Sequence, residues 1–100
     1  MRIVWSPLAI ERAHEAATYI ARDKPEAARS WLEGVFEVVD RLEAFPQSGR
    51  MVPEIGLPEY REIVYRKSHR IVYYADKTAV RILTVRNFAQ VLDRAELGLD

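Results

Sequence analysis

The apolar positions of this chain recur with a helical period in its first half and alternate in its second half, and this change predicts the order of elements. One helical stretch follows Ser6 and Pro7, and another starts at Pro25 and runs to about Ala44. A serine can accept hydrogen bonds from the free amides of a helix start, and proline is tolerated in the first turn. The short polar break at residues 22–25 predicts that the two helices form an antiparallel hairpin.

Short strands are predicted for most of the remaining chain. Residues 2–5 are expected to form an opening strand, and residues 46–59 a loop that holds three of the five prolines. Alternation then predicts strands at about 60–66, 69–75 and 79–87.

This order of elements, βααβββ, predicts an α+β fold in which the helical hairpin packs on a twisted, mostly antiparallel four-stranded sheet. Residues 1–100 are expected to form a single domain, because neither flank of the loop could fold alone. Within the last strand, strict alternation places four residues on one face: Val80, Ile82, Thr84 and Arg86.

The distribution of charge adds a functional expectation. The whole chain has 15 basic and 15 acidic residues, but residues 60–87 hold seven Lys and Arg against two acids, a formal charge of +5. A neutral protein that gathers positive charge on one sheet usually faces something anionic there. Nucleic acid and an acidic protein segment are both compatible with this pattern.

The absence of certain residues and patterns from the sequence argues against several kinds of chemical site and against a membrane location. With no cysteine, disulfides, thiol catalysis and zinc–thiolate sites are excluded. His14 and His69 are isolated imidazoles without a second ligand at a recognisable spacing, so neither a metal nor a cofactor is predicted. No apolar signal region and no membrane-length apolar run occur, so we expect a cytoplasmic location and no membrane partner.

Several short pieces of sequence, in their order along the chain, carry a family resemblance. They are an opening strand with Ser6-Pro7, Ala27-Ala28, residues 42–46 with Gly49, and the strand segments 61–63, 70–74 and 82–87. Together they resemble the RelE/ParE superfamily of type II toxin–antitoxin toxins, often labelled plasmid-stabilisation proteins, over essentially the whole chain. The resemblance implies a small cognate antitoxin whose C-terminal segment wraps the toxin.

RelE-like members cut mRNA in the ribosome, and the resemblance implies that Arg61, Arg70 and Arg86 would hold the phosphate in such a nuclease. RNA cleavage also needs a base and an acid. Where many relatives have His after the last-strand arginine, this chain has Asn87, which cannot act as a base near neutral pH. Phe88 follows and cannot transfer a proton, so the sequence resembles ParE more closely and favours a toxin that binds instead of cutting.

If the protein is ParE-like, the expected target-binding residues are Arg81, Arg86, Asn87 and Phe88, and the expected target is one such as DNA gyrase. For three of the arginines, a structural role is the alternative to a functional one. Arg61 could tie the long loop to the sheet, and Arg70 and Arg86 could form ion pairs with Glu62 or a helix acid.

The sequence therefore predicts the toxin of a bacterial type II system, neutralised by a ParD-like or RelB-like antitoxin in a hetero-oligomer. DNA would be contacted only through the antitoxin. A RelE-like, ribosome-dependent mRNA endonuclease is the alternative, and a non-toxic relative that serves only in a complex is a third interpretation. The small-residue face of the first helix, Ala9 to Ala17, is a further candidate for the antitoxin groove.

Overall fold

The computed structural model describes residues 1–99, which form two helices on one face of a five-stranded sheet. The helices are α1 (Pro7–Ala21) and α2 (Pro25–Asp40). The strands are β1 (Arg2–Trp5), β2 (Arg50–Met51), β3 (Tyr60–Tyr65), β4 (His69–Ala75) and β5 (Ala79–Asn87). Two short 3₁₀ turns follow α2 and β5, at Arg41–Glu43 and Arg94–Leu97.

The sheet order is β1-β5-β4-β3-β2, with β1 parallel to β5 and the remaining pairs antiparallel. The predicted α+β class and helical hairpin are confirmed, but the predicted count of four strands is wrong. The fifth strand is β2, a two-residue segment in which Arg50 and Met51 pair with Glu62 and Arg61. Two residues inside a proline-rich loop are too few to show an alternating pattern.

Sequence signals for the helices are borne out in detail. Ser6 caps α1, because its hydroxyl accepts from the amide of Ala9 at 3.0 Å. Ala9 and Ala13 are fully buried, so the small side chains bring α1 close to its neighbours in the core. The part of the small-residue face formed by these two residues is therefore closed to a partner.

Within residues 1–99, neither helix has the length and apolar composition that a membrane span requires.

A β-bulge at Leu83 overturns the strict alternation expected of β5. Tyr73 of β4 lies opposite Ile82, whereas Val72 lies opposite Thr84, so Leu83 is an extra residue without its own partner. Residues after the bulge consequently change faces. Thr84 and Arg86 turn away from the helices, and Val85 joins Ile82 in the core beneath them.

The β3–β4 hairpin ends in an unusual turn that is tied to α2. Arg66 and Lys67 both have positive φ, as a type I′ turn requires, although neither is Gly, Asn or Asp. The Tyr65 hydroxyl just before the turn donates to the carbonyl of Trp31 at 2.8 Å. Gly34 makes room for this contact, since a Cβ there would lie 2.0 Å from the Tyr65 hydroxyl oxygen.

The face of the sheet opposite the helices is partly covered by loop and tail. Val52, Val72 and Leu97 form a second buried cluster there, which holds the 52–59 loop and the C-terminal segment against the strands. The sheet therefore has one face covered by helices and one face that combines this small apolar cluster with charged side chains.

Candidate functional site: the arginine face

We call the side of the sheet away from the helices, around Arg50, Arg70 and Arg86, the arginine face. Arg70 on β4 and Arg86 on β5 lie directly opposite each other in the strand register. Like charges placed opposite each other in a sheet are destabilising. Their juxtaposition therefore needs acidic side chains close by, and the structure supplies three.

Arg70 is held by two carboxylates. Its Nε donates to Glu62 Oε1 at 2.7 Å, while Nη1 and Nη2 donate to the two oxygens of Glu54 at 2.6 and 2.8 Å. Glu62 lies on β3, is fully buried, and also accepts from Arg50 Nε at 2.8 Å. Glu54 comes from the loop before β3 and is half exposed. Arg70 is itself buried, so its guanidinium is fully engaged inside the protein.

Arg86 is neutralised by the C-terminal segment. Its Nε and Nη2 both donate to Glu96 Oε2, the former at 2.7 Å. The other oxygen of Glu96 accepts from Arg12 Nε on α1 at 3.1 Å and from Thr84 Oγ1 at 3.0 Å. Glu96 therefore links the tail, α1 and β5 through a single carboxylate.

These contacts shift the pKa values of Glu54, Glu96 and Arg70. Hydrogen bonds from Arg70 lower the pKa of Glu54 to about 2, against a smaller opposing effect of burial. For Glu96, burial alone would raise the pKa, but hydrogen bonds from Arg86, Arg12 and Thr84 together lower it. Hydrogen bonding to Glu54 raises the pKa of Arg70. Glu54, Glu96 and Arg70 are therefore charged at neutral pH, and their charges are compensated within the protein.

The three arginines named for a nuclease do not converge. Arg70 and Arg86 share the arginine face, but Arg61 is the cross-strand partner of Tyr73 and lies on the opposite side. There its Nη1 donates to the carbonyl of Gly49 at 3.0 Å. This contact ties the long loop to the sheet, which is the structural role considered for Arg61, and the ion pair between Arg70 and Glu62 was likewise anticipated.

The residues named for target binding do not all lie on one surface. Arg81 lies opposite Tyr74 and Val4 near the start of β5. Arg86 is five residues further on, about 16 Å away along the strand. Arg86 and Phe88 lie at one end of the arginine face and Arg81 lies at the other, whereas Asn87 is the cross-strand partner of His69 and lies on the helix side of the sheet.

Asn87 and Phe88 shape the surface at the end of β5. The Asn87 side-chain oxygen accepts from the amide of Ala89 at 2.8 Å and so closes a turn. The ring of Phe88 is 39% exposed, and the guanidinium carbons of Arg70 and Arg50 lie 5.3 and 6.0 Å from its centroid. An exposed aromatic ring next to paired arginines suits contact with a protein or a base.

His69 lies on the other face of the sheet from these arginines. It stacks edge-on against Trp31 with ring centroids 4.9 Å apart, and its Nδ1 is 2.7 Å from the Ser68 hydroxyl. Burial lowers the pKa of the His69 imidazole and so favours its neutral form. It is therefore placed in the packing between sheet and α2, on the side away from Arg70 and Arg86.

A groove of about 510 Å³ opens on the helix side of the sheet. Its lining includes Ala16 and Tyr19 of α1, Trp31 of α2, and the residues around His69 and Gln90. Tyr19 is 71% exposed beside it. Of the small-residue face proposed from the sequence, Ala16 is the residue that borders this groove.

The acidic partners from outside the sheet were missed by sequence reasoning. Glu54 and Glu96 lie in segments without a regular hydrophobic period, so no pattern indicates which strand face they reach. Glu62 was recognisable because it alternates with apolar neighbours in a predicted strand.

Comparisons with known proteins show the family of the chain and agree with its fold. The family model described as "ParE toxin of type II toxin-antitoxin system, parDE" matches residues 3–92. The chain is 34% identical over 89 residues to the protein named "Putative toxin Y4kP" of Sinorhizobium fredii, covering 89% of this chain and 90% of that one. Its fold is similar to a solved chain of the chromosomal ParDE TA system from P. aeruginosa, with a TM-score of 0.73 and 17% identity over 87% of this chain and 95% of that one.

Proposed function

Since the chain belongs to the ParE toxins of type II toxin–antitoxin systems, we propose that it arrests growth by binding a cytoplasmic target such as DNA gyrase. It works without a chemical step of its own, and a cognate antitoxin neutralises it in a hetero-oligomer. The surface that engages the target is the C-terminal end of β5 and the turn after it, formed by Arg86, Asn87 and Phe88, with Arg81 nearer the start of β5.

The main observation behind this proposal is that carboxylates of the protein itself bind both Arg70 and Arg86. A ribonuclease needs a cation that steadies the negative phosphorane of the reaction. Arg70 is buried between Glu54 and Glu62, and Arg86 is bound by Glu96. Both guanidinium groups would have to leave carboxylates before they could bind a phosphate. This supports a binding function over RNA cleavage.

The exposed side chains at the same place support a protein target. Phe88 presents its ring to solvent while Arg50 and Arg70 lie beside it. Aromatic residues and arginines are enriched among the residues that dominate the energy of protein interfaces. A ring of this kind can anchor a partner without any catalytic group nearby.

The test is controlled induction of this chain alone in a bacterium, with DNA, RNA and protein synthesis followed by pulse labelling. We expect an early fall in DNA synthesis with filamentous cells, and inhibition of supercoiling by purified gyrase. An early fall in translation with mRNA cut inside codons, seen by primer extension, would instead support the RelE-like endonuclease. Unchanged supercoiling at many-fold excess of toxin would remove gyrase as the target.

A pair of matched variants locates the surface. Phe88→Ala should weaken growth arrest and gyrase inhibition by tenfold or more, a loss of about 1.4 kcal/mol in binding. Phe45→Ala removes a more exposed ring, 66% accessible, on the loop after α2 and should leave toxicity unchanged. Equal effects of the two substitutions would contradict the assignment of the Phe88 surface.

A further inference from the structure

The chain after β5 is fixed at two places, and a short loop connects them. At the first place, the amide of Phe88 donates to the carbonyl of Ser68 in the β3–β4 turn at 2.9 Å. The second place is the 3₁₀ turn at Arg94–Leu97, where Leu97 is buried in the second apolar cluster. We call residues 88–93, which run from the first place to the second, the C-terminal loop.

Glu96 connects the 3₁₀ turn to two other elements of the fold. One of its carboxylate oxygens accepts from Arg86 of β5, and the other accepts from Arg12 of α1 at 3.1 Å and from Thr84 of β5 at 3.0 Å. The side chain of Glu96 is only 7% exposed. Hydrogen bonds in such a site are stronger than in water, so this carboxylate holds the far end of the C-terminal loop against the sheet and α1.

The 3₁₀ turn lies beyond the residues that match the ParE family model, since the match ends at residue 92. The turn has its own start and stop signals. Asp93 caps it by accepting from the amide of Ala95 at 2.9 Å, and Gly98 ends it with a φ of 76°. This left-handed conformation costs glycine little. The turn is therefore a defined anchor in this chain and not a frayed end.

The C-terminal loop presents two apolar side chains to solvent. Val91 is 88% exposed, the largest exposed fraction of any large apolar side chain within residues 1–99, and Phe88 is 39% exposed. A single exposed apolar side chain is ordinary on a protein surface. Val91 differs because its loop is held at both ends, so that a partner burying it has little chain freedom to remove on binding.

We propose that Glu96 is a positioning residue for target binding, which holds the C-terminal loop so that Val91 and Phe88 together enter an apolar pocket of the protein target. The role rests on the proposed function, in that the target is the partner of the loop. Arg86 at the start of this surface is already paired with Glu96, so binding here depends on apolar burial more than on charge. The expected partner is therefore a protein with an apolar pocket.

Backbone order parameters from nitrogen-15 NMR relaxation test the positioning without any target. In the wild type the C-terminal loop should have order parameters near the rigid value of about 0.85, and Glu96→Gln should lower them below about 0.6. Glu15→Gln is the matched control and should change nothing, because Glu15 bonds to the same Arg12 from an exposed position. Arg12→Gln keeps Arg86 paired and serves if Glu96→Gln does not fold; it should lower the same values by a smaller amount. Unchanged order parameters in the folded variants would overturn the proposal.

Inhibition of gyrase supercoiling measures whether the positioning matters for binding. Glu96→Gln should raise the toxin concentration that gives half inhibition about tenfold, because the loop is no longer preorganised. Val91→Ala should raise it about fivefold in the wild type, since apolar burial is lost, but less than about twofold in the Glu96→Gln background. Ile10→Ala is the control and should leave inhibition unchanged. Ile10 is 41% exposed on α1 and lies about 200° around the helix from Arg12.

The outcomes separate the role of Glu96 from the proposed function. An equal cost of Val91→Ala in the two backgrounds would show that Glu96 only stabilises the fold, and would overturn the proposal. Growth arrest without gyrase inhibition would make gyrase the wrong target, and the same pattern among the variants should then appear in the inducer concentration that stops growth. If the wild type caused no growth arrest, both the proposed function and the role of Glu96 would be wrong.

Discussion

Replacing Glu62 by Gln, and separately Glu54 by Gln, tests how burial sets the strength of the bonds to Arg70. Glu62 is fully buried and bonds to Arg70 and Arg50, so neutralising it leaves two guanidinium groups short of a counter-charge. Breaking a buried ion pair from one side costs about 3–5 kcal/mol. Because Glu54 would still hold Arg70, we expect the lower end, about 3 kcal/mol, for Glu62→Gln.

Glu54 makes two bonds to the same arginine from a half-exposed position. The lowering of its pKa from 4.5 to about 2 would correspond, without solvent screening, to about 3 kcal/mol of folding stability. Solvent screens a carboxylate that is 48% exposed, so we expect a cost of about 1 kcal/mol for Glu54→Gln. The two identical chemical changes should therefore differ by about 2 kcal/mol, out of a total stability of about 5–15 kcal/mol.

Urea unfolding at pH 7, followed by tryptophan fluorescence and circular dichroism, measures both free energies of unfolding. Glu15→Gln is the control, since its contact with Arg12 is an exposed pair on one helix and should change stability by less than about 0.5 kcal/mol. Added salt should reduce the cost of Glu54→Gln more than that of Glu62→Gln. A cost for Glu54→Gln equal to or above that for Glu62→Gln would refute the reasoning from burial.

Further predictions concern the hydroxyl of Tyr73, the turn and low pH. Tyr73→Phe should lower the free energy of unfolding by about 2 kcal/mol in urea, because the buried amide of Gly49 loses its acceptor; an unchanged midpoint would contradict this. Lys67→Gly should raise the free energy of unfolding by about 0.5 kcal/mol, since glycine relieves a φ of 63° but gains freedom in the unfolded chain; a loss of stability would show that the turn is not strained. Because the pKa of Glu54 is lower in the folded protein than its ordinary value, its contribution is complete above about pH 5 and disappears as the pH falls towards 2. The stability difference between wild type and Glu54→Gln should therefore shrink over this range in urea titrations, and a constant difference would exclude the assignment.

Local sequence signals were sufficient for most of the fold. The Ser6 cap, the proline starts of both helices and the alternating strands each depend on residues close together in the chain, so their positions could be inferred directly. The second helix and the β3–β4 hairpin end within a few residues of the predicted bounds. The strand β2 was missed because its pairing with β3 is set by a loop that folds back across residues 52–60, and not by its own two residues.

The candidate site was harder to infer because its partners meet across long separations in sequence. The pairing of Arg70 with Glu62 follows from adjacent strands, and it was foreseen as one of two possibilities. Glu54 and Glu96 reach the same face from a loop and from the tail. Their positions depend on how Val52 and Leu97 pack into the second apolar cluster, a three-dimensional outcome that no local pattern specifies.

The bulge at Leu83 shows how one residue can determine the composition of a whole face. With strict alternation, Arg86 would share the side of Ile82 and would point its charge into the core beneath the helices. The extra residue turns Arg86 to the opposite side and brings Val85 into the core in its place. Only then does Arg86 lie opposite Arg70, and only there can Glu96 reach both Arg86 and Thr84. The sequence contains a signal for this change of face. Val85 is apolar and suits the core, whereas its neighbours Thr84 and Arg86 are polar. The arginine face is therefore a consequence of avoiding a buried charge as much as of gathering positive residues on a sheet.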